Sequence, residues 1–289
     1  MYGKVFISLN PVAGQIITDQ DKDTIKNTII DPKTPVAITP TFVDPEYTYI
    51  SLEINSTYDP KVTTLTKGQI EDSIKTQVDN YFNNSLNKLN KSFYYSRLHD
   101  RINLATTAII STNIHLGLQK RVKPLLNALH NYSVKFNQKL QPREITSSYF
   151  NVTLSGVTHQ ASLADEPAST VVAPAYSGTG IVNIVGIDGT ILGAAGTVDY
   201  DSGTIDLPSM LLTSLYGSET HLRINCKPHD SIKDITTQAL IRTSDVSTAA
   251  VVAKPSRNTV LSVDDSTLNS IINTNSGIKI TATKEVEEV

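Results

Sequence analysis

The chain has 289 residues, a formal net charge of −3 and a single cysteine, Cys226. A chain of this length buries a core without metals or disulfides. The lone cysteine excludes an internal disulfide framework, and the near balance of acids and bases excludes a domain-wide nucleic-acid surface. Tryptophan is absent, while Thr, Ser, Asn, Ile and Val abound, a bias that raises strand propensity. The apolar stretch at 181–192 is interrupted by Asn183 and Asp188-Gly189, short of the ~20 residues a membrane-spanning helix needs. The first residues carry no secretion signal.

Residues 4–9 read as a strand that begins with almost no lead-in, as if continuing something longer. Residues 18–30 read as a short helix capped by Thr18 or Asp19, with Asp21 and Asp23 complementing its dipole. Ile25, Ile29 and Ile30 share a face, and Asp31-Pro32 ends the helix. Residues 36–43 read as a strand, followed by a turn at Asp44-Pro45-Glu46. Residues 47–58 alternate most regularly. Ile50, Leu52 and Ile54 lie on one face, and Tyr47, Tyr49, Ser51, Glu53 and Asn55 on the other, which predicts a sheet covered on one side. Thr66 and Gln69 form a T-x-x-Q capping box. Ile70, Ile74, Val78, Tyr81, Phe82, Leu86 and Leu89 then trace one apolar helical stripe. Leu98, Ile102 and Ala105 mark a second helix over 96–105, and Ile110, Thr112, Ile114 and Leu116 mark a strand over 108–118. The order β-α-β-β-α-α-β approximates a split βαβ arrangement, with helices on one face of a mixed sheet, over residues 1–125.

Residues 125–138 read as a linker or strand entry, 149–155 as a strand, and 161–180, rich in Ala, Ser, Pro and Gly, as a loop. Asp188-Gly189 joins 181–187 to 190–192 in a hairpin with an expected type I′ turn. A second hairpin pairs 196–200 with 204–207, and 219–225 is a further strand. The fold class is therefore α+β. The α+β domain at 1–125 is followed by a small, mostly antiparallel β domain at 126–228. An extended C-terminal segment at 229–289 carries short strands near 258–263 and 277–282, and its acidic end at 284–289 is expected to be disordered.

The residues carry no catalytic, cofactor or metal signature. The histidines His99, His115, His130, His159, His221 and His229 show no metal-ligand spacing. Cys226, His229 and Asp230 stand too close in sequence for the usual thiol–imidazole arrangement. Asp199, Asp201 and Asp206 fit turns better than a calcium loop. Gly178, Gly180, Gly186 and Gly189 form no phosphate-binding loop. The basic run Lys120-Arg121-Val122-Lys123 reads as a solvated face, and the Asn-x-Ser/Thr matches as chance. The cluster Phe93-Tyr94-Tyr95 carries two readings, core packing against the long helix or anchors of a protein interface.

Residues 45–119 resemble the baseplate J-like family, the baseplate wedge subunits of contractile-tailed phages. The matching residues are Tyr49-Ile50-Ser51-Leu52-Glu53-Ile54 and Tyr58-Asp59-Pro60. They continue with the helix from Ile70 to Tyr81-Phe82, then Leu89, Phe93, Ser96-Arg97-Leu98 and Ile102, and the strand at 109–118. The hairpin at 196–205 and Arg257-Asn258-Thr259-Val260-Leu261 are similar to segments of the same wedge proteins. The resemblance implies a non-enzymatic structural subunit in the virion tail baseplate, assembled in the host cytoplasm. It implies partners in a second copy of the chain and in other wedge proteins, with no cofactor, nucleic acid, membrane span or small-molecule substrate. Members are longer, and this chain looks like their C-terminal part. They pair within a wedge, and six wedges close a ring that rearranges when the sheath contracts. The competing expectation is a receptor- or surface-binding module of a tail fibre or adhesin, which the β-rich second half keeps open.

Overall fold

The computed structural model describes residues 4–9, 17–35, 38–43, 47–86, 91–154, 156–173, 176–229, 234–235, 240–243 and 278–284. Strand β1 (Lys4–Ile7) leads to helix α1 (Asp19–Ile25), which continues through a π turn at Lys26–Ile30 to strand β2 (Thr39–Phe42). Thr18 caps α1 in a capping box with Asp21, whose carboxyl is held below the usual range by its hydrogen bonds to Thr18. Then come strand β3 (Tyr47–Tyr58), helix α2 (Lys67–Tyr81) with a π turn at Phe82–Leu86, helix α3 (Tyr95–Asn103) and strand β4 (Ile109–Val122). The remainder is strand: β5 (His130–Lys135), β6 (Thr146–Ser147), β7 (Phe150–Leu154), β8 (Val157–Pro167), β9 (Thr179–Gly186), β10 (Ile191–Asp199), β11 (Thr204–Met210), β12 (Ser214–Leu215), β13 (Leu222–Cys226), β14 (Leu240–Thr243) and β15 (Ile278–Lys284).

The protein is α+β, and its sheet is mostly antiparallel. The split βαβ arrangement does not form. β1 and β2 pair parallel with each other as a separate ribbon, and the outer edge of β3 is taken instead by β14 and β15, both parallel to it. Long-range pairing of the chain's last described strands thus displaces the local βαβ closure that sequence order suggests. β4 is the spine. It pairs antiparallel with β3 on one side and with β13 on the other, so the main sheet runs on from the helical part into the β-rich part.

The alternation in β3 does what it predicts: Ile50, Leu52 and Ile54 are buried. With Ile114 and Leu118 they join a core that includes Ile70, Ile74 and Val78 of α2 and Leu98 and Ile102 of α3. Ile110, expected on the same face, is exposed, because a register shift opposite Tyr58 turns the start of β4 outward. Leu89 lies outside the described residues, as do 258–263 and 285–289. The Thr66 hydroxyl accepts from Gln69 N at 3.4 Å and the Gln69 side chain accepts from Thr66 N at 2.9 Å. Thr66→Ala is expected to cost about 1 kcal/mol, readable as a lower thermal midpoint with an unchanged far-UV spectrum.

Two further expectations are corrected. Residues 161–167, expected in a loop over 161–180, belong to the strand β8, and Thr179-Gly180 begin β9. Ala161 and Leu163 face inward while β7 and β9 pair on either side, so neighbours stabilise a segment whose own residues are weak strand formers. The turn at Asp188-Gly189 is not type I′: only Gly189 has a positive φ, of 82°. The Asp188 carboxylate accepts from Thr190 N and Oγ1, which secures the turn from its own side chain. The second hairpin turn forms as expected. Asp199 accepts from the N–H groups of Asp201 and Ser202, and Gly203 takes a left-handed φ of 67° with the Gln138 carbonyl close against it.

Candidate interface

The cluster Phe93-Tyr94-Tyr95 sits where α2 hands over to α3, and the structure separates its members. Phe93 is 0% exposed and meets the rings of Tyr81 and Phe82 at 5.8 and 6.2 Å. Its backbone exchanges two 2.9 Å hydrogen bonds with Ile235, itself buried. Phe93 therefore offers no surface; it holds the loop from within. Tyr81 completes the clamp, its hydroxyl accepting from Tyr94 N at 2.9 Å and donating to Tyr94 O at 3.2 Å. Burial pushes the Tyr81 phenol above its usual range, so it stays protonated and able to donate.

Tyr94 is 39% exposed, with the Arg97 guanidinium 4.7 Å from its ring centre. Tyr95 is half-buried and stacks on His99, while its N–H donates to the Asp234 carboxylate at 2.9 Å. Arg101 lies 5.5 Å from the Tyr81 ring centre. The outcome is a surface of tyrosine and arginine whose backbone is fixed from beneath, with little further ordering needed on contact. Such residues are enriched at the centres of protein interfaces.

The remaining sequence candidates resolve into structural roles. Cys226 is buried, and burial together with the nearby Asp165 pushes its thiol well above the usual range, so it stays protonated. His229 is buried and packs edge-on against Tyr176. In native buffer Cys226 is expected to resist alkylation at mildly alkaline pH and to react promptly in denaturant. Rapid native labelling, followed by mass spectrometry, would count against this burial. Asp201 accepts from Lys139, Ser177 and Gly178 N, and these bonds hold its carboxyl below the usual range. Among the described residues no group of His, Cys, Asp or Glu is arranged to hold a metal ion, and no helix is long and apolar enough to cross a membrane.

Comparison with known proteins falls on the helix-bearing part of this structure. Residues 46–121, which span β3, α2, α3 and nearly all of β4, match the family model described as baseplate structural protein gp6, C-terminal domain III. Over 149 residues the chain is 23% identical to the baseplate wedge protein gp6 of Enterobacteria phage T4. That stretch is 52% of this chain, and the chain covers 22% of the relative's own length. The resemblance to baseplate wedge subunits carried by residues 45–119 is borne out by both matches.

Proposed function

We propose that this chain is a non-catalytic subunit of a phage tail baseplate wedge, and that it works by binding neighbouring subunits. The observation that carries the proposal is the match of residues 46–121 to a baseplate structural domain. The same region presents the fixed Tyr94–Arg97 and Tyr95 surface. In this reading the chain associates with a second copy, contacts other wedge proteins, and joins wedges into a ring. Its packed parts move as rigid bodies about their mutual contacts when the sheath contracts. Residues 1–125 and 126–228 act as the two structural parts, with β14 and β15 of the segment 229–289 paired to β3 of the first. A tail-fibre or adhesin module fits less well, because both matched proteins are of the baseplate.

Light scattering across a concentration series tests the contact. The chain is expected to exceed monomer mass as concentration rises, and Tyr94→Ser with Tyr95→Ser is expected to weaken that association without loss of helix or strand. Truncating a central aromatic anchor typically costs about 2 kcal/mol or more of binding, or about thirtyfold in affinity. Unchanged association in that variant would remove this surface from the proposal.

A further inference from the structure

The basic run at 120–123 does not act as one solvated face. Strand alternation sends Lys120 inward, where it is 3% exposed, and sends Arg121 and Lys123 to the outer face of β4. There β13 meets them. Arg223 lies directly opposite Arg121, and just past the paired ends His221 feels the Lys123 charge. Three cationic side chains and an imidazole therefore share one corner of the sheet's outer face.

Neighbours hold these side chains in position. The Arg121 guanidinium stacks 3.9 Å from the Tyr49 ring centre and donates to Gln119, which in turn donates to Asn225. Arg223, with 14% of its side chain exposed, takes both oxygens of Glu219 at 2.6 and 2.7 Å. The imidazole registers the resulting field. Burial first, and then Arg121, Lys123 and Arg223, lower the His221 pKa against the opposing pull of Glu219. Polar groups fixed this way need little reorganisation to receive carboxylates.

The chain carries a complementary segment. Residues 285–288 read Glu-Val-Glu-Glu and follow β15, whose last residue, Lys284, pairs with Tyr58. The basic block stands at the opposite end of β3, since Tyr49 pairs with Gln119 two residues short of Arg121. The separation along the strand from Tyr58 to Tyr47 is about 36 Å. Residues 285–289, even fully extended, reach about 17 Å. A chain cannot place this segment on its own basic block.

We propose that the Arg121–Lys123–His221–Arg223 face receives the acidic segment 285–288 of a second copy of this chain. The inference rests on the reading of a self-associating subunit and names a further contact for it. The contact is head-to-tail, because two different surfaces meet, and it leaves each copy with one free donor and one free acceptor face. Contacts of this type close into rings or extend as filaments.

Complementation between two full-length variants tests the inference. One carries Arg121→Gln and Lys123→Gln; the other carries Glu285→Gln, Glu287→Gln and Glu288→Gln. Each alone is expected to lose the head-to-tail association by about tenfold in affinity. An equimolar mixture is expected to regain it, because one variant keeps the acidic segment and the other the basic face. The wild-type contact is expected to weaken between roughly 0.05 M and roughly 0.3 M salt. If the Arg121 change lowers the thermal midpoint, Lys123→Glu paired with Glu287→Lys gives the same readout from an exposed lysine. Association that ignores both variants and salt would overturn this inference, and if it still depended on Tyr94 it would leave the function proposed above standing. Loss in the basic-face variant with no effect of the acidic variant would also overturn it, by assigning the face to a different partner.

Discussion

Phe93→Ala is expected to destabilise the chain by about 3–5 kcal/mol, the range for deleting a fully buried aromatic ring. Phe93 is 0% exposed, and its ring closes a cluster with Tyr81 and Phe82. Its backbone also pairs with Ile235, so a collapsing cavity there loosens the return of the chain's C-terminal part onto the helices. For a protein of this size the thermal midpoint should fall by on the order of 10 °C. Denaturant unfolding is expected to show a lower midpoint with little change in slope. Tyr94→Ser, one residue on, removes an exposed ring and should shift stability by under about 1 kcal/mol. The contrast between adjacent aromatics is the result to look for; equal losses at both positions would contradict the separation into core and surface.

Asp165→Ala is expected to be the most damaging change in the β-rich part. Its carboxylate accepts from the Tyr200 hydroxyl at 2.6 Å, from Arg143 N at 2.7 Å and from Ile145 N at 2.9 Å. Tyr200 is 0% exposed, and burial followed by its bond to Asp165 drives the phenol far above its usual range, so the hydroxyl remains a donor. Removing the carboxylate strands that hydroxyl and the Ile145 N–H, whereas the N–H of exposed Arg143 is open to water. At about 1–3 kcal/mol for each group left buried without a partner, the loss should reach about 3–5 kcal/mol. Tyr200→Phe removes the donor as well as its need, and should cost only about 1 kcal/mol. The double variant should then be less destabilised than the sum of the two singles, a coupling that chemical denaturation of all four proteins can measure. Strict additivity would mean the bond contributes little.

The parts of the fold legible in the sequence are those where local pattern and tertiary demand agree. β3 alternates cleanly because one face meets helices and the other does not. α2 announces itself through the Thr66–Gln69 box and an apolar stripe, and both are found as expected. The strand expected near 277–282 is present as β15. What was illegible depends on partners far away in sequence. β8 is held by β7 and β9 although its interior positions are filled by Ala161 and Leu163. β1 and β2 pair only with each other while β14 and β15, far along the chain, take the β3 edge.

The candidate interface divides the same way. The string Phe93-Tyr94-Tyr95 marks the place, but which ring turns inward is decided by Ile235, a pairing that local spacing does not encode. The basic run at 120–123 looked like a solvated face because its counterparts, His221 and Arg223, join it only when β13 pairs with β4. Alternation alone would have split Lys120 from Arg121 and Lys123, and that signal was available in the sequence.

Immunoelectron microscopy of intact phage particles with antibody to this chain tests the central claim most directly. Label clustered at the baseplate, at the distal end of the tail, is the predicted result. Label confined to the head or to the fibres, with the baseplate clean after its surfaces are opened by sheath contraction, would contradict a baseplate subunit.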